Sequence, residues 1–169
     1  MSDTLITVVV IILGAGLIFV VPLMTMADRV DTTSQAEVEA IVTDFFEEII
    51  TTREITEEKY NKFLENLTAT GHTFDVEMEI KILDENHGKK TLQTAHDKMG
   101  ENGYYSKYKS QIVEELEKSG VIKLKTGYIV LVTAKNTDLT FSQQFKSLVY
   151  KIVGNDTATI VSSKAGMVQ

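Results

Sequence analysis

The sequence predicts an α+β fold in which a long N-terminal transmembrane and stalk helix packs on a small antiparallel β-sheet with additional helices. Three observations point there. Residues 5–26 form an uncharged apolar run. Val38, Ile41, Val42, Phe45, Phe46 and Ile49 then recur at the spacing of one helical stripe, with no Pro- or Gly-rich linker between run and stripe. Further on, Phe74, Val76, Met78, Ile80 and Ile82 alternate with Asp75, Glu77, Glu79 and Lys81, the period of a strand with one wet face.

The apolar run is long enough, at about 1.5 Å per residue, to cross a hydrocarbon core of roughly 30 Å as a helix. Met1, Ser2, Asp3 and Thr4 precede it, not the basic stretch of a cleaved secretory signal, so the run reads as a retained anchor. The chain therefore divides into an anchor over residues 1–28 and an α+β domain over residues 29–169, with the stalk helix continuous to about residue 52. Within the span, Gly14 and Gly16 flank Ala15 and permit close approach of another helix. Pro22 removes one backbone donor, which predicts a bent or loosened turn over residues 18–22.

Beyond the stalk, Thr56 precedes Glu57 and Glu58 as an N-cap. Tyr60, Phe63, Leu64 and Leu67 give a short helix over residues 56–69 that stops before Gly71. The alternating strand follows and ends in the turn-forming residues 84–88. No period emerges over residues 89–103, which read as a loop. Tyr105, Tyr108, Ile112 and Leu116 predict a helix reaching Lys118, closed by Ser119 and Gly120. Residues 121–124 and 128–135 read as strands around a turn at Gly127, the second apolar on both faces at Ile129 and Leu131 and so a central strand. A helical stripe over residues 141–152 and a terminal strand over residues 157–168 complete the order. The stalk stripe needs a partner layer, and stacking Val38, Ile41, Val42, Phe45 and Ile49 on the sheet face that carries Val76, Met78 and Ile80 dries both.

Composition narrows the chemistry. The 169 residues carry 24 acidic and 17 basic side chains, a net charge of −7, so nucleic acid is not an expected partner. The absence of cysteine excludes disulfides, Cys-ligated zinc, iron–sulfur clusters and thiol nucleophiles. His72, His87 and His96 show no zinc-site spacing, and no phosphate loop, nucleophile elbow or EF-hand pattern occurs. No catalytic, cofactor-binding or metal-ligating residue is therefore assigned, and the expected role is not enzymatic.

An apolar N-terminal helix with Gly14 and Pro22, flowing into an amphipathic stalk and then an antiparallel sheet, resembles the type IV pilin and pseudopilin superfamily over roughly the first fifty residues. The acidic cysteine-free domain is similar to minor-pilin-like proteins of tight-adherence (TadE-type) systems. That family's usual basic leader is not seen here, and Leu5 stands where its helix carries a glutamate, with Asp3 close by. The resemblance implies a structural subunit of a surface filament or of a secretion or pilus assembly apparatus. It also implies membrane lipid as a first partner, self-association or other pilin-like subunits as the next, and a domain on the extracytoplasmic side. A single-pass accessory or sensor protein, whose acidic domain binds another membrane component, has the same sequence features.

Overall fold

The computed structural model describes residues 2–84, 103–138, 144, 147 and 159–169. Its first element is one helix, α1 (Ser2–Thr52), of 51 residues, about 76 Å long at the helical rise. It is α-helical through residues 18–22, with Pro22 inside the helix. Proline costs the helix one hydrogen bond, and the helical conformation satisfies the other backbone groups of the apolar run internally.

Arg53 ends α1 in the left-handed region at φ 54°, and the chain turns at once into β1 (Glu54–Thr56). Then α2 (Glu57–Ala69) starts from Thr56, whose hydroxyl accepts from the Lys59 N–H at 3.2 Å, with Glu57 and Glu58 in the first turn. Next come β2 (Phe74–Leu83), β3 (Tyr104–Tyr108), α3 (Lys109–Ser119), β4 (Val121–Lys123), β5 (Ile129–Asn136) and β6 (Val161–Met167). Among the described residues there are two antiparallel sheets, not one: a four-stranded sheet ordered β3-β2-β5-β6 and a two-stranded pair β1-β4.

The fold is α+β as expected, with β5 in the interior of the sheet. Two elements depart from expectation. Residues 104–108 are a strand, not the first turns of a helix, because they pair with β2 in the register Ile80↔Lys107 and Ile82↔Tyr105. Helix α3 begins only at Lys109, where the Tyr108 N–H donates to the Gln111 side chain at 3.1 Å. The spacing of Tyr105 and Tyr108 mimicked a helical stripe. The expected helix over residues 141–152 lies outside the described residues except for Gln144 and Ser147, which are helical. Nearly all of the expected loop over residues 89–103 lies outside them too.

One hydrophobic core joins all layers. Val76, Met78, Ile80 and Ile82 of β2 and Val130, Val132 and Ala134 of β5 point to the same sheet face. Helix α1 covers that face over β5 and β6, and α3 covers it over β2 and β3 through Ile112 and Leu116. At the C-terminal end of α1 are Phe63 and Leu67 of α2 and Ile55 and Ile122 of the small sheet, all in the same cluster.

Candidate functional site: one helix with two surfaces

Helix α1 carries two unlike surfaces along one axis. From Leu5 to Met26 its large apolar side chains are exposed, fourteen of them, with Ile18 and Phe19 each 71 % accessible. From Val38 onward the helix is part of the core: Val38, Val42 and Ile49 are fully buried, Phe45 nearly so, and Ile41 half-buried against the same cluster. The Phe45 ring stacks on Phe63 of α2 with centroids 4.3 Å apart and planes 9° from parallel. Gly14 and Gly16 lie on the exposed length with open space where a Cβ would stand, and Pro22 lies eight residues beyond Gly14 on the same length.

Three contacts fasten the upper part of α1 to β6. The Gln35 side-chain amide donates to the Val161 carbonyl at 2.8 Å and its oxygen accepts from the Val161 N–H at 3.2 Å, so a side chain completes the outer edge of the strand at its first residue. Lys164 Nζ lies 3.4 Å from Glu39, an exposed pair worth little by itself. Phe46 lies across Gly166, where a Cβ would come within 2.9 Å of the ring. Residues 35, 39 and 46 thus meet 161, 164 and 166 in ascending order, and α1 runs parallel to β6. Gln35 and Gly166 were not singled out in the sequence, and Phe46 was read only as part of the stalk stripe. Gly166 sits in an otherwise ordinary strand pattern, where a glycine signals close approach, and that was the available cue.

The rest of the described surface offers little to chemistry. No group of three or more His, Asp or Glu side chains converges among the described residues. The groove between α1 and α2 is lined by Asp44, Glu48, Lys59 and Lys62, mixed charges around the stacked Phe45 and Phe63. Burial raises the Tyr60 hydroxyl above its ordinary pKa, as it does for a tyrosine on the core side of a helix.

The geometry defines a class: a small α+β domain clamped to the upper half of a helix whose lower half is long and apolar enough to cross a membrane. No protein-family model, curated protein or solved structure matches the chain.

Proposed function

We propose that the chain is a single-pass membrane protein, anchored by residues 5–26 with its domain on the extracytoplasmic side, and that it serves as a pilin-like structural subunit of a surface filament or of a secretion or pilus assembly apparatus. The observation that carries the reading is the division of α1. Fourteen large apolar side chains stand exposed between Leu5 and Met26. At about 1.5 kcal/mol or more for each such side chain, leaving them in water forgoes on the order of 20 kcal/mol, more than the typical stability of a whole domain. Lipid, or the apolar helices of neighbouring subunits, removes that penalty. The upper half of the same helix is the domain's own core, so a force or displacement applied to the anchor reaches the domain through rigid helix and not through a linker. The side of the membrane and the filament rest on the resemblance to pilins.

Electron microscopy of sheared cell-surface material, with mass spectrometry of the same fraction, tests the filament. The chain is expected in fibrous material. Recovery solely as dispersed membrane protein overturns the filament and leaves a membrane accessory protein whose acidic domain binds another component. Protease added to intact cells tests the side: the domain is expected to be cut, and protection until lysis places it in the cytoplasm.

A further inference from the structure

The hydrogen bonds of the four-stranded sheet fix which backbone groups each of its two edge strands turns outward. In the β2–β3 register the Asp84 N–H donates to the Gly103 carbonyl at 2.8 Å, and in the β2–β5 register the Thr137 N–H donates to the Thr73 carbonyl at 2.9 Å. Bonded pairs recur at every second residue of an antiparallel ladder, and the two bonds set the same alternation along β2. Tyr105 and Lys107 therefore bond inward to β2, while Tyr104, Ser106 and Tyr108 direct N–H and C=O away from the sheet. The Tyr108 N–H is taken by the Gln111 side chain at the start of α3. Among the described residues the outward groups of Tyr104 and Ser106 meet no partner, two donors and two acceptors on one short strand. On β6 the same reasoning, from the Asn136 N–H on the Ile160 carbonyl, turns Ser163, Ala165 and Met167 outward beyond the Val161 that Gln35 closes. A further strand is what completes such an edge.

Anchoring distinguishes the two edges. Strands turn by about 20–25° from one to the next, so β3, three places from β6, lies about 60–75° away from it, whereas α1 runs parallel to β6. Joining β6 to β6 of another copy reverses the second α1, and joining β6 to β3 turns it by about a right angle, so neither leaves both spans in one bilayer. Joining β3 to β3 does. That junction lies three and a half steps from β6, so the twofold axis between its strands, perpendicular to the sheet there, falls within about 20° of β6 and α1.

We infer that β3 pairs antiparallel with β3 of a second anchored copy, the twofold axis lying along the membrane normal and the two chains sharing one continuous sheet. The inference rests on the anchoring part of the reading above and not on the filament. With Tyr105 on the axis, Tyr104 of each copy lies opposite Ser106 of the other, and every free donor and acceptor of both edges is used in four hydrogen bonds. A register centred on Ser106 instead sets Tyr104 against Tyr108, whose N–H is already taken. On one face of the joined sheet Tyr104 and Tyr108, 38 % and 59 % accessible, come diagonal to Tyr104 of the other copy, within aromatic reach. The lysines that approach the axis are held by carboxylates of their own chain, Lys107 by Glu115 at 2.6 Å and Lys109 by Asp75 at 3.5 Å. So short a ladder depends on the high effective concentration that two anchors in one membrane supply.

The chain lacks cysteine, so introduced thiols report on it cleanly. Across the axis the two copies of residue 105 form a non-hydrogen-bonded pair with Cα atoms about 4.5 Å apart, within disulfide range. Full-length Tyr105→Cys in native membranes under a mild oxidant is expected to give a disulfide-linked product of twice the chain's mass. Asn61→Cys, exposed on α2, and Ser163→Cys, exposed on β6, are expected to give none. Tyr104→Cys and Ser106→Cys are each expected to give none alone and to link when co-expressed, a second route should Tyr105→Cys disturb the fold. Adding Ser106→Pro or Tyr104→Pro to Tyr105→Cys removes two of the four hydrogen bonds at an edge position that tolerates proline, and is expected to lower the yield about tenfold or more. Thermal melts check that both proline variants stay folded. No product from either route, an equal product from Ser163→Cys, a yield unmoved by both folded proline variants, or a product carrying a different protein overturns the pairing. Carbonate extraction of the same membranes scores the anchor separately, since an unanchored chain leaves the pellet whether or not it is cross-linked.

Discussion

Phe45→Asp separates a stalk that belongs to the domain's core from one that serves only assembly. Phe45 is 4 % exposed and stacks on Phe63 at 4.3 Å. Removing a buried phenylalanine ring costs about 3–5 kcal/mol. The new carboxylate enters a groove already holding Asp44 and Glu48, with Lys59 and Lys62 as partial compensation, and its burial adds about 1–3 kcal/mol. The sum, about 4–8 kcal/mol, is most of the typical stability of a small domain. Residues 27–169 retain every buried core side chain and omit the exposed apolar length, so urea unfolding of that segment followed by circular dichroism measures the effect. The variant is expected to be largely unfolded without denaturant. Glu48→Asp, at an exposed position one turn on, is expected to stay within about 0.5 kcal/mol of the parent. An unfolding midpoint for Phe45→Asp equal to the parent's would refute the reasoning and assign Phe45 to a surface between molecules.

Three further outcomes are expected. Ile12→Lys places a charge near the centre of the apolar run at about 2.5–3.5 kcal/mol on the insertion scale, so membrane pelleting of the full chain should fall sharply; an unchanged pellet argues against a spanning role. Arg53 holds φ 54° without being glycine, and Arg53→Gly is expected to raise stability by about 0.5–1 kcal/mol in the same urea assay, strain relief exceeding the added freedom of the unfolded chain; a loss would mean that the Arg53 side chain outweighs its backbone strain. Tyr60 has a raised pKa through burial, so both states are neutral below pH 10 and the unfolded state ionises first above it. Stability should therefore fall as pH rises from about 10 toward the folded-state pKa, and Tyr60→Phe should flatten that slope; an equal slope in the variant assigns the alkaline loss elsewhere.

The elements readable in the sequence are those whose signal is periodic and local. The nine-position alternation around Met78 marks β2, the Thr56 cap with Glu57 and Glu58 marks α2, and the apolar run followed by a helical stripe marks α1 as one helix. Each pattern is set by a residue's own neighbours along the chain, through side-chain period and capping. The tertiary structure alone decided what depends on pairing across distance. β1 has three residues and exists because Ile55 lies opposite Ile122 of β4. Tyr104–Tyr108 is a strand because β2 supplies its ladder, although its tyrosines also fit the stripe of the helix that follows. Val38, Val42 and Ile49 show their apolar period in the sequence, whereas the clamp of Gln35 on Val161 and of Phe46 on Gly166 joins residues more than a hundred positions apart. No local pattern encodes such a contact. It follows from how α1 settles against β6 once the whole core has closed.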